Sequence, residues 1–129
     1  MIVVDTSVWI DFFRGCNVAL CEHLTALLDA DQVVIPAPVR VEILSGARKV
    51  ELSRLRRVMA ALPSLMPSES TWGLIERWLD GAVSKGQRFG VGDLLVGAIA
   101  TEAGAQIWSL DRDFSRMARL GWARLHEPK

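Results

Sequence analysis

Cysteine is scarce. Cys16 and Cys21 are too few for a disulfide framework, and their spacing is not Cys-x-x-Cys, so both read as reduced, structural thiols. There is no apolar run of membrane-spanning length and no basic signal-peptide start, which predicts a cytoplasmic chain with no membrane association. Only two histidines occur, His23 and His126, and both lie away from the motifs described below, so a zinc site is not expected. Net charge is absent as well: 15 basic and 15 acidic residues cancel to a formal +0, which excludes strong non-specific attraction to nucleic acid. The balance is uneven along the chain. Residues 1–47 sum to −4, whereas residues 48–57, with Arg48, Lys49, Arg54, Arg56 and Arg57 against Glu51, sum to +4. A basic patch beside an acidic pocket is compatible with that pattern. Taken alone, Arg54, Arg56 and Arg57 read as a solvated helix face.

What is present is a hydrophobic fraction of 50% in 129 residues, enough for one core and for a single domain spanning 1–129. Ile2, Val3 and Val4 form a short buried strand, and Asp5-Thr6-Ser7 starts a helix that carries Val8, Trp9, Ile10, Phe12 and Phe13. Helical periodicity recurs over about 19–30, 38–47, 50–62 and 69–85, the last with the stripe Ile75, Trp78, Leu79, Ala82, Val83. Short strands are predicted at 32–35, 64–66 and 105–108, with an edge strand at 123–125. Gly86, Gly90 and Gly92 predict a loop over 86–92, after which Asp93 opens a helix from Leu94 to Ala103 that is apolar nearly all round. Alternating strands and helices imply an α/β fold, a mainly parallel sheet covered on both faces. Asp5, Asp93 and Asp111 then fall near one sheet edge, the carboxyl edge at which open α/β sheets bind ligands.

Asp5, Asp93 and Asp111 each precede a helix, and N-capping alone explains any one of them. Glu42 is different, because it stands inside a helix among Val39, Val41, Ile43 and Leu44. A carboxylate there needs a partner if it is buried; otherwise it faces water. If the four converge, mutual repulsion raises their pKa values and a cation offsets it. All-oxygen ligands select a hard cation, Mg²⁺ or Mn²⁺, and suit metal-assisted phosphoryl chemistry.

Val-Asp-Thr-Ser-Val at 4–8, Glu-Ile-Leu-Ser-Gly at 42–46, Asp-Leu-Leu-Val-Gly-Ala-Ile-Ala at 93–100 and Ser-Leu-Asp-Arg-Asp-Phe at 109–114 resemble, in order and spacing, the four motifs of the PIN-domain ribonucleases. Size and motif order are similar to the VapC toxin branch of type II toxin–antitoxin systems. The resemblance covers the whole chain. It implies a PIN-like three-layer α/β/α sandwich and a Mg²⁺- or Mn²⁺-dependent endoribonuclease that cleaves RNA with a metal-activated water. By position, Asp5, Glu42, Asp93 and Asp111 match the family's catalytic and metal-binding acids, Asp113 a less regular fifth acid, and Ser7 and Ser109 its hydroxyls. Arg14, Lys85, Arg88, Arg112 and Arg116 are candidates for RNA phosphate contacts. An antitoxin partner is implied, laying an apolar helix across the early helices near Arg56 and Arg57. A homodimer is also expected, with Trp9, Phe12, Phe13 and the 50–62 helix as surplus apolar surface. Two other readings stand beside this one: a PIN-like interaction module with a vestigial metal site, and a phosphatase using Asp5 as nucleophile.

Overall fold

The structure is a computed structural model that describes residues 1–15 and 17–128. Four strands, β1 (Ile2–Val4), β2 (Val33–Pro36), β3 (Ser64–Leu65) and β4 (Gln106–Trp108), form one sheet in the order β3-β2-β1-β4. Every pairing is parallel, with Ile2 opposite both Val33 and Gln106. Around the sheet run α1 (Thr6–Arg14), α2 (Val18–Asp29), α3 (Ala37–Ser45), α4 (Leu52–Ala60), α5 (Glu69–Ser84), α6 (Val91–Glu102) and α7 (Arg112–Arg119). The expected α/β/α sandwich with a short parallel sheet is the observed architecture. Among the described residues no helix is long and apolar enough to cross a membrane.

The sheet is short because its strands are almost wholly buried: β1 and β2 read as continuous Val, Ile and Pro runs and are buried at every position. From β1 the chain steps outward to β2 and β3, then returns past β1 to β4. Right-handed crossovers put α1 to α4 on one face and α5 and α6 on the other. The reversal opens a crevice between the carboxyl ends of β1 and β4, where Asp5 N donates to Trp108 O at 2.9 Å. Trp9, Leu24, Ile35, Met59, Ile107, Phe114 and Met117 fill the core. Each such side chain contributes roughly 1.5–3 kcal/mol by leaving water. Gly15 ends α1 in the left-handed region at φ 68°, where its N–H reaches Asp11 O and Phe12 O.

Several boundaries differ from the sequence expectation. The 50–62 helix begins as a 3₁₀ turn (Lys49–Glu51) before α4. The edge strand expected at 123–125 is one parallel bridge, Ile107 to Leu125, held by Ile107 N to Arg124 O and His126 N to Ile107 O, both 2.8 Å. The loop expected over 86–92 is shorter, because Gly90, extended at φ −71° and ψ 152°, caps α6, and the helix begins at Val91, ahead of Asp93. Asp93 therefore sits inside the first turn and is not the cap. Trp9 is fully buried, while Phe12 and Phe13 are half-buried against the core and leave only part of their surface exposed. Of the two cysteines, Cys21 is a free, half-buried thiol donating toward Phe12 O, and Cys16 lies outside the described residues.

Candidate metal centre

The tightest acidic group is Asp93, Asp111 and Asp113, which each offer a carboxylate oxygen within 4.8 Å of the others. Asp93 comes from the first turn of α6, and Asp111 and Asp113 from the turn that leaves β4 and starts α7. Asp111 is a working N-cap: its Oδ1 accepts from Asp113 N at 2.9 Å. Capping thus accounts for one of three aspartates. Asp5 occupies the cap position of α1 but makes no side-chain cap bond.

Instead the carboxylate of Asp5, a residue 6% exposed, is held by two hydroxyls, one on α1 and one just beyond β4. Its Oδ2 accepts from Ser109 Oγ at 2.7 Å and from Ser7 Oγ at 3.0 Å. The same two hydroxyls accept backbone bonds from the turn ahead, Leu110 N to Ser7 Oγ and Asp111 N to Ser109 Oγ, each 3.0 Å. Ser7 and Ser109 are therefore a strap that ties the end of β1 to the turn bearing Asp111.

The carboxylates feel one another. Burial pushes Asp93 up to about 7, helped by a hydrogen bond to Asp113 and by the charges of Asp111, Asp113 and Asp5. Glu42 is also raised, first by burial and then by Asp5, with the Thr6 hydroxyl acting the other way. Glu42 is exposed on α3, but its Oε1 lies 3.7 Å from where a Gly92 Cβ would stand, so it reaches across to the start of α6. The acids form a row: Glu42, then Asp5, then the trio around Asp93. Of the sequence candidates, Asp93, Asp111 and Asp113 meet directly, and Asp5 and Glu42 adjoin them through charge. Asp113, ranked last from sequence, is in the tightest group, because residue 113 turns back beside residue 111 in the first turn of α7.

The donor set fits a hard divalent cation: three carboxylates, no imidazole or thiol, with a proton affinity on Asp93 raised first by burial and then by the neighbouring acids.

The candidate cations are disposed differently. Lys85, Arg88 and Arg112 are exposed. Arg14 borders a groove of about 440 Å³ that also takes in Ile10, Phe13, Glu42, Arg48 and Leu55. Arg116 is half-buried, with its guanidinium engaged within the protein. Its Nη1 donates to Asp113 Oδ1 at 2.8 Å, and its Nε and Nη2 donate to Gln87 Oε1 at 3.1 and 2.8 Å. Gln87 and Phe89, which enclose it, were not singled out from the sequence. Nothing local marks them, because both lie in a glycine-rich connection without periodicity.

The family model described as PIN domain matches residues 2–120. Ribonuclease VapC11 of Mycobacterium tuberculosis is 31% identical over 128 residues, 93% of each chain, and the VapC ribonuclease Mb1587 of Mycobacterium bovis matches to the same extent. Among solved structures, VapBC2 from Rickettsia felis bound to a DNA fragment from its promoter superposes with a TM-score of 0.79 at 17% identity, covering 98% of both chains. At that identity the likeness carries the fold.

Proposed function

We propose that this chain, which belongs to the PIN-domain family, is a divalent-metal-dependent endoribonuclease and the toxin of a toxin–antitoxin pair, acting as a single domain in the cytoplasm. The observation that carries the reading is the Asp93, Asp111 and Asp113 trio, with oxygens within 4.8 Å, in the crevice where the strand order reverses. These three would hold Mg²⁺ or Mn²⁺, with Asp5 and Glu42 completing the acidic wall. When bound, the cation supplies a water of lowered pKa and neutralises charge on the phosphate. Ser7 and Ser109 orient the Asp5 carboxylate and fix the turn that bears Asp111. Lys85, Arg88 and Arg112 are the cations available to RNA phosphates on either side.

The VapC likeness at 31% identity supports RNA as substrate. The groove lined by Ile10, Phe13 and Leu55, with Arg14 and Arg48 at its border, supports an apolar helix of the antitoxin as its occupant. A phosphatase is less well supported, since Asp5 is 6% exposed with Oδ2 engaged by two hydroxyls. A vestigial module leaves the crowded carboxylates around Asp93 without a use.

The test is cleavage of an end-labelled, unstructured RNA by the purified chain. Mg²⁺ or Mn²⁺ should be required, EDTA should stop the reaction, and Asp111→Asn, which can still cap α7, should lose more than about a hundredfold. Cleavage that survives chelation, or an equally active Asp111→Asn, sinks the proposal.

A further inference from the structure

Arg116 uses its guanidinium as a four-way tie. Nη1 donates to Asp113 Oδ1 at 2.8 Å; Nε and Nη2 both donate to Gln87 Oε1; Nη2 also donates to Arg88 O at 2.9 Å. The plane lies over the Phe89 ring, with Cζ 4.2 Å from its centroid. Phe89 leans on Trp122 at 5.3 Å, and Trp122 stacks on Trp78 at 4.9 Å with a 4° interplanar angle. Gln87, Arg88 and Phe89 are the whole span between Gly86 and Gly90, the cap of α6. One side chain on α7 thereby sets both the Asp113 carboxylate and the connection that delivers Asp93.

We propose that Arg116 is a positioning residue of the acidic centre: by locking the 87–89 connection to Asp113 it fixes the separation of Asp93 and Asp113, and so sets divalent-cation affinity. It does not contact RNA. The inference rests on the metal-nuclease reading and deepens it. Lysine cannot replace the tie, because an ammonium lacks the planar fork that reaches Gln87, Arg88 O and Asp113 together while lying flat on Phe89. Charge and position also predict opposite signs here. Arg116 is a cation beside a cation site, so on charge alone its removal strengthens metal binding. As a positioning residue, its removal weakens binding.

The experiment is a Mn²⁺ titration without RNA, followed by calorimetry or by the electron paramagnetic resonance of free Mn²⁺, on wild type, Arg116→Lys, Arg116→Ala and Gln87→Ala. RNA cleavage at saturating Mn²⁺ is measured alongside. Arg116→Lys and Arg116→Ala should each weaken Mn²⁺ about 10- to 100-fold, the range for residues that orient metal ligands. Gln87→Ala, which keeps every charge, should weaken it severalfold, and KM for RNA should stay at the wild-type value in all three. Unchanged or tighter Mn²⁺ binding by Arg116→Ala, or wild-type binding by Gln87→Ala and Arg116→Lys, overturns the proposal. So does a raised KM with Mn²⁺ affinity intact, which is the signature of a phosphate contact. Gln87→Ala lies in a surface connection, so it decides the matter should the Arg116 variants fail to fold. A wild-type chain that binds no Mn²⁺ overturns the metal-nuclease reading itself, and this inference with it.

Discussion

Asp93 is the residue on which the electrostatics of the site converge. Its pKa, raised from 3.8 to about 7, means that the folded state keeps a proton that the unfolded chain has released across that interval. The contribution to stability is therefore fully present below the unfolded value and is lost as pH rises through about 7. The metal-free protein should thus melt at progressively lower temperature from about pH 4 to neutrality and level off above. Asp93→Asn keeps the shape and removes the charge. It should flatten that slope, match or exceed the wild-type melting temperature at about pH 8 in EDTA, and abolish cleavage. A variant that melts well below wild type in EDTA, with the slope unchanged, would show Asp93 to be a structural residue. A cation competes with the same proton, so cleavage should rise with pH through about 7.

Among the elements, α6 is the one whose seating decides where Asp93 stands. It is the most deeply buried helix, with Leu94, Val96, Gly97, Ala98, Ile99 and Ala100 all inside. Gly97 permits the close approach. A Cβ there would lie 2.9 Å from Met117 Sδ on α7 and 3.4 Å from the Trp78 ring on α5. The thioether can swing aside, but the indole is pinned by its stack on Trp122. Gly97→Ala gains up to about 1 kcal/mol of helix propensity and loses roughly 1–3 kcal/mol to overpacking. The net expectation is a lower urea midpoint at unchanged slope, together with weaker Mn²⁺ binding as α6 shifts against α7. A midpoint raised by the substitution would show that the packing yields freely.

For the molecule as a whole, apolar surface is left over on α5. Trp72 is 49% exposed, Leu79 37% and Val83 76%, at i, i+7 and i+11 on one side of the helix. For the homodimer expected from the sequence we propose this face, since Trp9 is buried and Phe12 and Phe13 are half-buried against the core. Light scattering at micromolar concentration should give a dimer mass for wild type and a monomer mass for Leu79→Glu with Val83→Glu, with Mn²⁺ affinity kept. A monomeric wild type removes the expectation. Cation binding acts at the same scale: at a hundredfold excess over Kd, Mn²⁺ should stabilise the fold by about 2.7 kcal/mol.

The sequence by itself determined the alternation of strands and helices, the parallel sheet and the carboxyl edge to which Asp5, Asp93 and Asp111 belong. These follow from local signals: β-branched runs, a 3.6-residue stripe in α5, and cap-forming residues at helix starts. Only the tertiary structure decided which acids touch. Asp93, Asp111 and Asp113 meet because α6 and the β4–α7 turn face each other across the sheet edge, a relation with no signature in either segment. It also decided that Asp5 serves a strap of two serines and not a helix cap, since Ser109 arrives from the turn after β4, 104 residues away. Arg116 is the clearest instance. From sequence it is one more basic residue on a surface helix; in the fold its planar guanidinium meets Asp113, Gln87, Arg88 O and Phe89 at once, because the 87–89 connection, distant in the chain, closes around it.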